Sequence, residues 1–362
     1  MSYTNNPLNL VLSGGGIKGL AFIGAYEELE KRYRVLGNIA GVSAGAIVGS
    51  LIAAGYTSRE LFRILRDLDF NKFTYRKGDL LNISIANRIK QLTEQKRNIN
   101  DNDIESLLYR QDYPELQLFL REKDEFTGTR GNFLANMVSF SKKNAFMNGD
   151  LLEKWIGQVL ANKGIYTFSD FRAGIPDKVN PRGYKIRMTA VDANLGRVIV
   201  LPDDIAYYNI DPDKFPVARA IRMSTCVPFI FEPVVIDKKE NNHVRPHYII
   251  DGGVLDNFPV WLIDSTQNNT VIGLKLEGKE TKEYLEAENL LKKLLSASHD
   301  TGVPKNSYNI DNIAHIDTGN VSFLDFDLSH EDEQYLYNQG RIAAQKLLMD
   351  MQKKKRGWKN VF

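Results

Sequence analysis

Apolar residues gather in short blocks near the start of the chain, with helically spaced segments between them. Residues 8–12 read L-N-L-V-L, a compact apolar run that stops at Ser13-Gly14-Gly15-Gly16. Leu20, Ile23, Tyr26 and Leu29 follow near helical spacing, which predicts a helix over residues 17–32. A second apolar run at 35–42 leads directly into the small-residue stretch 44–55. The opening of the chain therefore predicts β-loop-α-β-turn-α, the start of an α/β sheet with parallel strands.

Residues 57–150 have a different texture. Polar and charged helices are expected at 58–68 and 83–93, an N-D-N-D run occupies 100–103, and aromatic and aliphatic residues mix with glycines and lysines over 126–146. This pattern predicts an insertion of helices and loops at the sheet edge. Phe133, Leu134, Met137, Val138, Phe140 and Phe146 would either line the apolar face of a lid or pack inward. From 148 the α/β order returns. A helix at 151–160 is capped by Asn148 or Asp150, and strands at 184–191 and 197–201 flank an A-N-L-G-R turn. A helix at 215–223 precedes a segment, 224–233, held extended by its two prolines. A strand at 247–250 ends at Asp251-Gly252-Gly253, and 271–276 reads as one more buried strand. A charged helix at 281–298, a polar loop around D-T-G at 317–319 and a final helix capped by Ser329 complete the chain. With no repeat and no linker, residues 1–362 are expected to form one domain. Its motif-bearing part is 8–276, with the insertion at 57–150 and a helical extension at 277–362.

Charge and composition narrow the partners. The 362 residues carry 47 basic and 45 acidic side chains, a net charge of +2 that argues against nucleic-acid binding by bulk electrostatics. The single cysteine, Cys226, rules out an intramolecular disulfide and fits a reducing compartment. The first residues, M-S-Y-T-N-N-P, show no basic segment leading into an apolar one, so the expected location is cytoplasmic. The longest apolar run, 44–56, is too short to cross a bilayer and is broken by Gly49 and Gly55. Any membrane contact is then peripheral. The run K-K-K-R-G-W-K at 353–359 would suit an anionic bilayer surface, although a frayed soluble tail accounts for it as well.

Two glycine-rich motifs carry candidate chemistry. Gly14, Gly16 and Gly19 satisfy G-x-G-x-x-G between a strand and a helix, the context of a dinucleotide site. A dinucleotide site would place a carboxylate at the end of the second strand to hold the ribose. That strand, V-L-G-N-I-A-G-V-S, has none and ends in Ser43 instead. Gly41–Gly45 reads G-V-S-A-G, a serine elbow in its strand-turn-helix setting, which makes Ser43 a candidate nucleophile. The glycine loop then has a second use, as backbone amides converging on a developing oxyanion. A serine needs a base. His243, His247, His299, His315 and His330 lie in polar contexts and read as surface or loop residues. Asp251, at the end of an apolar strand, is the better candidate for the base, with an Asx turn at D-G-G as the alternative reading.

These motifs carry a family resemblance. S-G-G-G-I-K-G at 13–19, G-V-S-A-G at 41–45 and D-G-G at 251–253, in that order, resemble the patatin-like phospholipase family. So do A-R-A-I-R-M-S-T-C-V-P-F-I-F-E-P at 218–233, the helix around Trp155 and F-S-D at 168–170. The similarity spans residues 8–276. It implies a three-layer α/β/α fold with a mostly parallel sheet and a Ser–Asp dyad without a catalytic histidine. Ser43 would be the nucleophile, Asp251 its base, and the Gly14, Gly15 and Gly16 amides the oxyanion donors. Lys18, Gly19, Gly41, Gly45, Gly252 and Gly253 would support the motifs. Many family members have aspartate and arginine where this chain has Ser13 and Lys18, and lysine does not reproduce a bidentate arginine contact. The implied substrate is a phospholipid or another acyl-ester lipid, with no cofactor or metal ion. Three readings compete: a Ser-His-Asp triad using His299, His315 or His330, a nucleotide-binding module, and an acyl-binding protein with a dead site.

Overall fold

The computed structural model describes residues 6–68, 73, 145, 147–228, 230–240, 243–264, 269–278, 310–321 and 328–359. The strands are β1 (Leu8–Leu12), β2 (Leu36–Gly41), β3 (Ile186–Asp192), β4 (Arg197–Leu201), β5 (Val234–Glu240), β6 (His243–Asp251), β7 (Thr270–Glu277) and β8 (Ile313–Asp317). Among the described residues they form one sheet in the order β5-β6-β3-β2-β1-β7-β8, with β4 paired to β3. β3, β2, β1, β7 and β8 run parallel, while β4, β5 and β6 are antiparallel to their neighbours. β1 is buried along its whole length, which explains its near-continuous apolar run: both faces of a central parallel strand are covered. Leu8, Leu10 and Leu12 pack into the main core on one face, and Val11 packs with Ala40, Val260, Ile263 and Val271 on the other.

The helices are α1 (Leu20–Glu30), α2 (Ala44–Ala53), α3 (Ser58–Arg66), α4 (Gly149–Ala161), α5 (Val217–Ser224) and α6 (His330–Lys359). The fold is mixed α/β, a mostly parallel central sheet with helices around it, as the sequence predicts. Asn148 Oδ1 caps α4 by accepting from the Asp150 and Leu151 amides at 3.0 and 3.3 Å. Ser329 caps α6 through the Asp332 amide at 3.1 Å. α6 lies along α1, with the Tyr337 hydroxyl donating to Glu27 and Arg341 to Glu28.

One edge of β3 positions the site. β4 occupies one side of β3 over Met188–Asp192. The other side is shared, with Gly41 of β2 opposite Met188 and Asp251 of β6 opposite Ala190. β2 and β6 run in opposite directions and meet end to end on that edge. Two residues along a strand span about 7 Å, so the turn after Gly41 and the carboxylate at Asp251 face one another.

Several elements differ from the sequence-based expectation. β6 starts at His243 rather than 247, and its partner β5 was not anticipated, because V-V-I-D-K-K-E loses its apolar pattern halfway. β8 occupies part of the stretch read as a polar loop; I-A-H-I-D buries only alternate residues at the sheet edge. The segment after α5 folds back near Val227 rather than staying extended, with the Ile230 and Phe231 amides returning to Val227 O. The basic run at 353–359 continues α6 and is not a frayed tail. The proposed lid residues Phe133, Leu134, Met137, Val138, Phe140 and Phe146, and the helices expected at 83–93 and 281–298, lie outside the described residues.

Candidate active site

The elbow is built by close approach. A Cβ at Gly45 would lie 2.4 Å from Leu12 O, and one at Gly41 would lie 2.4 Å from Gly45 O. Only hydrogen fits at both positions. The chain therefore turns from β2 into α2 within two residues, and Ser43 takes φ 54°, ψ −122°, a left-handed backbone rare for a residue with a side chain. The Ser43 amide donates to Ser224 Oγ at 3.1 Å, and Ser224 Oγ in turn donates to Thr189 O at 2.7 Å. Ser224 is fully buried at the end of α5 and ties the strained turn to β3. Ser224→Ala leaves a buried donor and a buried acceptor unpaired, which costs about 1–3 kcal/mol and should lower the urea midpoint. An unchanged midpoint would show that the bridge does not hold the turn.

Across the β2–β6 junction, Asp251 is buried. Its amide donates to Cys226 O at 2.8 Å, and its Oδ1 accepts the Gly253 amide at 2.6 Å, closing an Asx turn. The Asx turn and the candidate base are thus the same carboxyl. Oδ2 is buried without a hydrogen-bond partner. Burial pushes this carboxyl up to about 7, while the nearby Ser43 hydroxyl and the Gly253 amide pull it back toward the usual range. The serine is therefore within electrostatic reach of the carboxyl, although no hydrogen bond of full geometry closes on Oδ2. Catalytic contacts often tighten only when substrate binds.

The glycine loop borders the same point. A Cβ at Gly14 would lie 3.4 Å from Ser43 Cβ. The Gly14 amide donates to Asn257 O at 3.1 Å, and among the described residues the Gly15 and Gly16 amides have no acceptor. The loop is tied to β7 through Ser13 Oγ, which accepts the Leu276 amide at 3.1 Å. Gly19 packs against Ala44 and Gly252 against Thr189, while Gly253 faces Asn257 and Asp251. Lys18 is buried, with its Nζ beside Gly278 at the end of β7.

The family model for the patatin-like phospholipases matches residues 10–264, a span that holds both glycine motifs, Ser43 and Asp251. The chain belongs to the patatin-like phospholipase family. An uncharacterised Bacillus subtilis (strain 168) protein, YqhO, is 31% identical over 345 residues, covering 93% of this chain and 97% of its own length. A probable lipid hydrolase, 463L, of Invertebrate iridescent virus 6 is 23% identical over 253 residues, 69% of this chain and 61% of that protein. The crystal structure of VipD from Legionella pneumophila shares the fold, with a TM-score of 0.51 and 19% identity over 96% of this chain and 67% of that one. Membership of the patatin-like family supports lipid hydrolysis as the activity.

Within this patatin-like fold the histidines stand apart from Ser43. His315 pairs with Glu277 and His330 with Glu333, both on the surface, and His243 is exposed. His299 lies outside the described residues. His247, read from sequence as a surface or loop residue, is buried: it sits on the inward face of β6, where Nδ1 meets Asp192 Oδ2 at 2.7 Å. The Tyr208 hydroxyl donates to the same oxygen at 2.6 Å. None of the described histidines hydrogen-bonds Ser43 or Asp251. Sequence reasoning passed over two residues of the site, Ser224 and Asn257. Ser224 lies within the 218–233 stretch and Asn257 just after D-G-G, but neither has a local pattern that marks its role.

Proposed function

We propose that this protein is a lipid acyl hydrolase that cleaves carboxylic ester bonds of phospholipids or lysophospholipids through a Ser43–Asp251 dyad. The observation that supports this reading most directly is the unpartnered, buried Oδ2 of Asp251 beside Ser43. Ser43 Oγ attacks the acyl carbonyl while its proton passes to Asp251. The carbonyl electron pair moves onto oxygen, where the free Gly15 and Gly16 amides and the positive end of α2 receive it. Collapse expels the lysolipid or glycerol oxygen, which takes the proton from Asp251 and leaves an acyl-serine. Water, deprotonated by the same carboxylate, then releases the fatty acid. An exposed aspartate is a poor base for a hydroxyl, and a carboxyl raised to about 7 is a much better match at neutral pH.

No helix among the described residues is long and apolar enough to cross a membrane, so a lipid surface would be met peripherally. α6 packs against α1, and the basic run at 353–359 forms its last residues.

A fluorophosphonate probe should label the wild type and fail to label Ser43→Ala. Mass spectrometry of reactions with phospholipids, lysophospholipids and neutral glycerides should then show fatty acid released by the wild type alone. Fatty acid release by Ser43→Ala at the wild-type rate would end this reading.

A further inference from the structure

The turn that follows the D-G-G motif returns to the glycine loop, and Asn257 is the residue that makes the contact. Its backbone carbonyl accepts the Gly14 amide at 3.1 Å. Its side-chain Oδ1 lies 2.1 Å from where a Cβ on Gly14 would be, and Ser43 Cβ lies 3.4 Å from that same point. The carboxamide and the serine are therefore neighbours across the Gly14 Cα. On its other flank, Oδ1 lies 2.8 Å from the Cβ position of Gly253, and Asp251 Oδ1 lies 3.0 Å from it. One carboxamide thus touches the glycine loop and the aspartate turn at once.

The frame around Asn257 is held without its side chain. Asp256 Oδ1 accepts the Phe258 amide at 3.1 Å and Oδ2 accepts Trp261 Nε1 at 2.6 Å, which clamps the turn on both sides of Asn257. The Asp256 amide itself donates to Gly252 O at 3.0 Å. Among the described residues nothing accepts from or donates to the Asn257 carboxamide, and the residue is exposed at the rim. A half-turn about its last torsion puts Nδ2–H where Oδ1 now sits.

We propose that Asn257 is a catalytic residue whose Nδ2–H donates to the ester carbonyl oxygen as it becomes anionic. The inference rests on the esterase reading above. It also accounts for the Gly14 amide, which the backbone of Asn257 occupies: the side chain of the same residue supplies a donor in its place. No bond changes at Asn257; the electron pair from the carbonyl stays on the substrate oxygen until the tetrahedral intermediate collapses.

The test uses the full chain, with p-nitrophenyl butyrate as substrate and a fluorophosphonate as a mimic of the tetrahedral intermediate. Asn257→Ala keeps the backbone contact to Gly14, so its thermal midpoint should stay at the wild-type value. Its kcat should fall by about 10²–10³, with KM changed by less than about threefold and phosphonylation slowed to match. Asn257→Asp, similar in shape but lacking the N–H, should be no better. Wild-type kcat in either variant, or a loss confined to KM, overturns the assignment. Should the wild type neither hydrolyse nor label at Ser43, the esterase reading fails and this one falls with it. Labelling of wild type and Asn257→Ala at equal rates removes this assignment alone.

Discussion

Asp251→Asn is expected to lose ester hydrolysis by about 10³-fold or more and, at the same time, to be more stable than the wild type at pH 8. With Asp251 as the proposed base, the substitution removes the proton acceptor, and a positioned general base contributes typically 10²–10⁴-fold. The gain in stability follows from linkage. Burial raises the folded-state pKa of Asp251 to about 7, whereas the unfolded chain has the ordinary value of about 3.9. Between those values the folded protein holds a proton that the unfolded chain releases. Stability from this group is therefore full below about pH 4, falls as pH rises toward 7, and is level above it. An asparagine carries no such penalty. The difference between variant and wild type in urea unfolding should widen by about 2–3 kcal/mol from pH 5 to pH 8. The same ionisation should appear in the wild-type kcat/KM, rising tenfold per pH unit below about 7 and level above it. A difference in stability that does not change with pH, or turnover that survives the substitution, would remove Asp251 as the base.

Gly45→Ala should cost about 3 kcal/mol or more, an exceptional penalty for one methyl group. Its Cβ would lie 2.4 Å from Leu12 O and 2.7 Å from Ser13 O, both backbone atoms that no side-chain rotation can clear. α2 would have to lift off the end of β1, and the glycine loop begins at that point. Activity should therefore fall together with stability. Gly157→Ala in α4 is the matched control, because its Cβ would meet only Ala218 Cβ, at an ordinary 3.6 Å. There the better helix propensity of alanine should leave the protein as stable as the wild type or slightly more so. Thermal unfolding of the two variants side by side distinguishes the cases. Equal midpoints would show that the elbow tolerates a side chain at Gly45.

Read from sequence alone, β1, α1, β2 and the elbow helix were legible because their apolar spacing is strong and their ends carry glycine. Ser43 and Asp251 stood out for the same local reason, each at the end of an apolar strand and beside glycines. β5 and β8 were not legible, since edge strands bury only part of their length and lose the pattern that marks a strand. His247 could not be placed either, because its burial depends on Asp192 and Tyr208, which come from other elements. The residue types at the site were written locally. That β2 and β6 share one edge of β3, leaving one carboxylate oxygen unpaired beside a serine, was decided by the tertiary structure. So was the capture of the Gly14 amide by Asn257. Strand pairing across two hundred residues is a compromise among all the surfaces that must be buried at once, and no local window contains it.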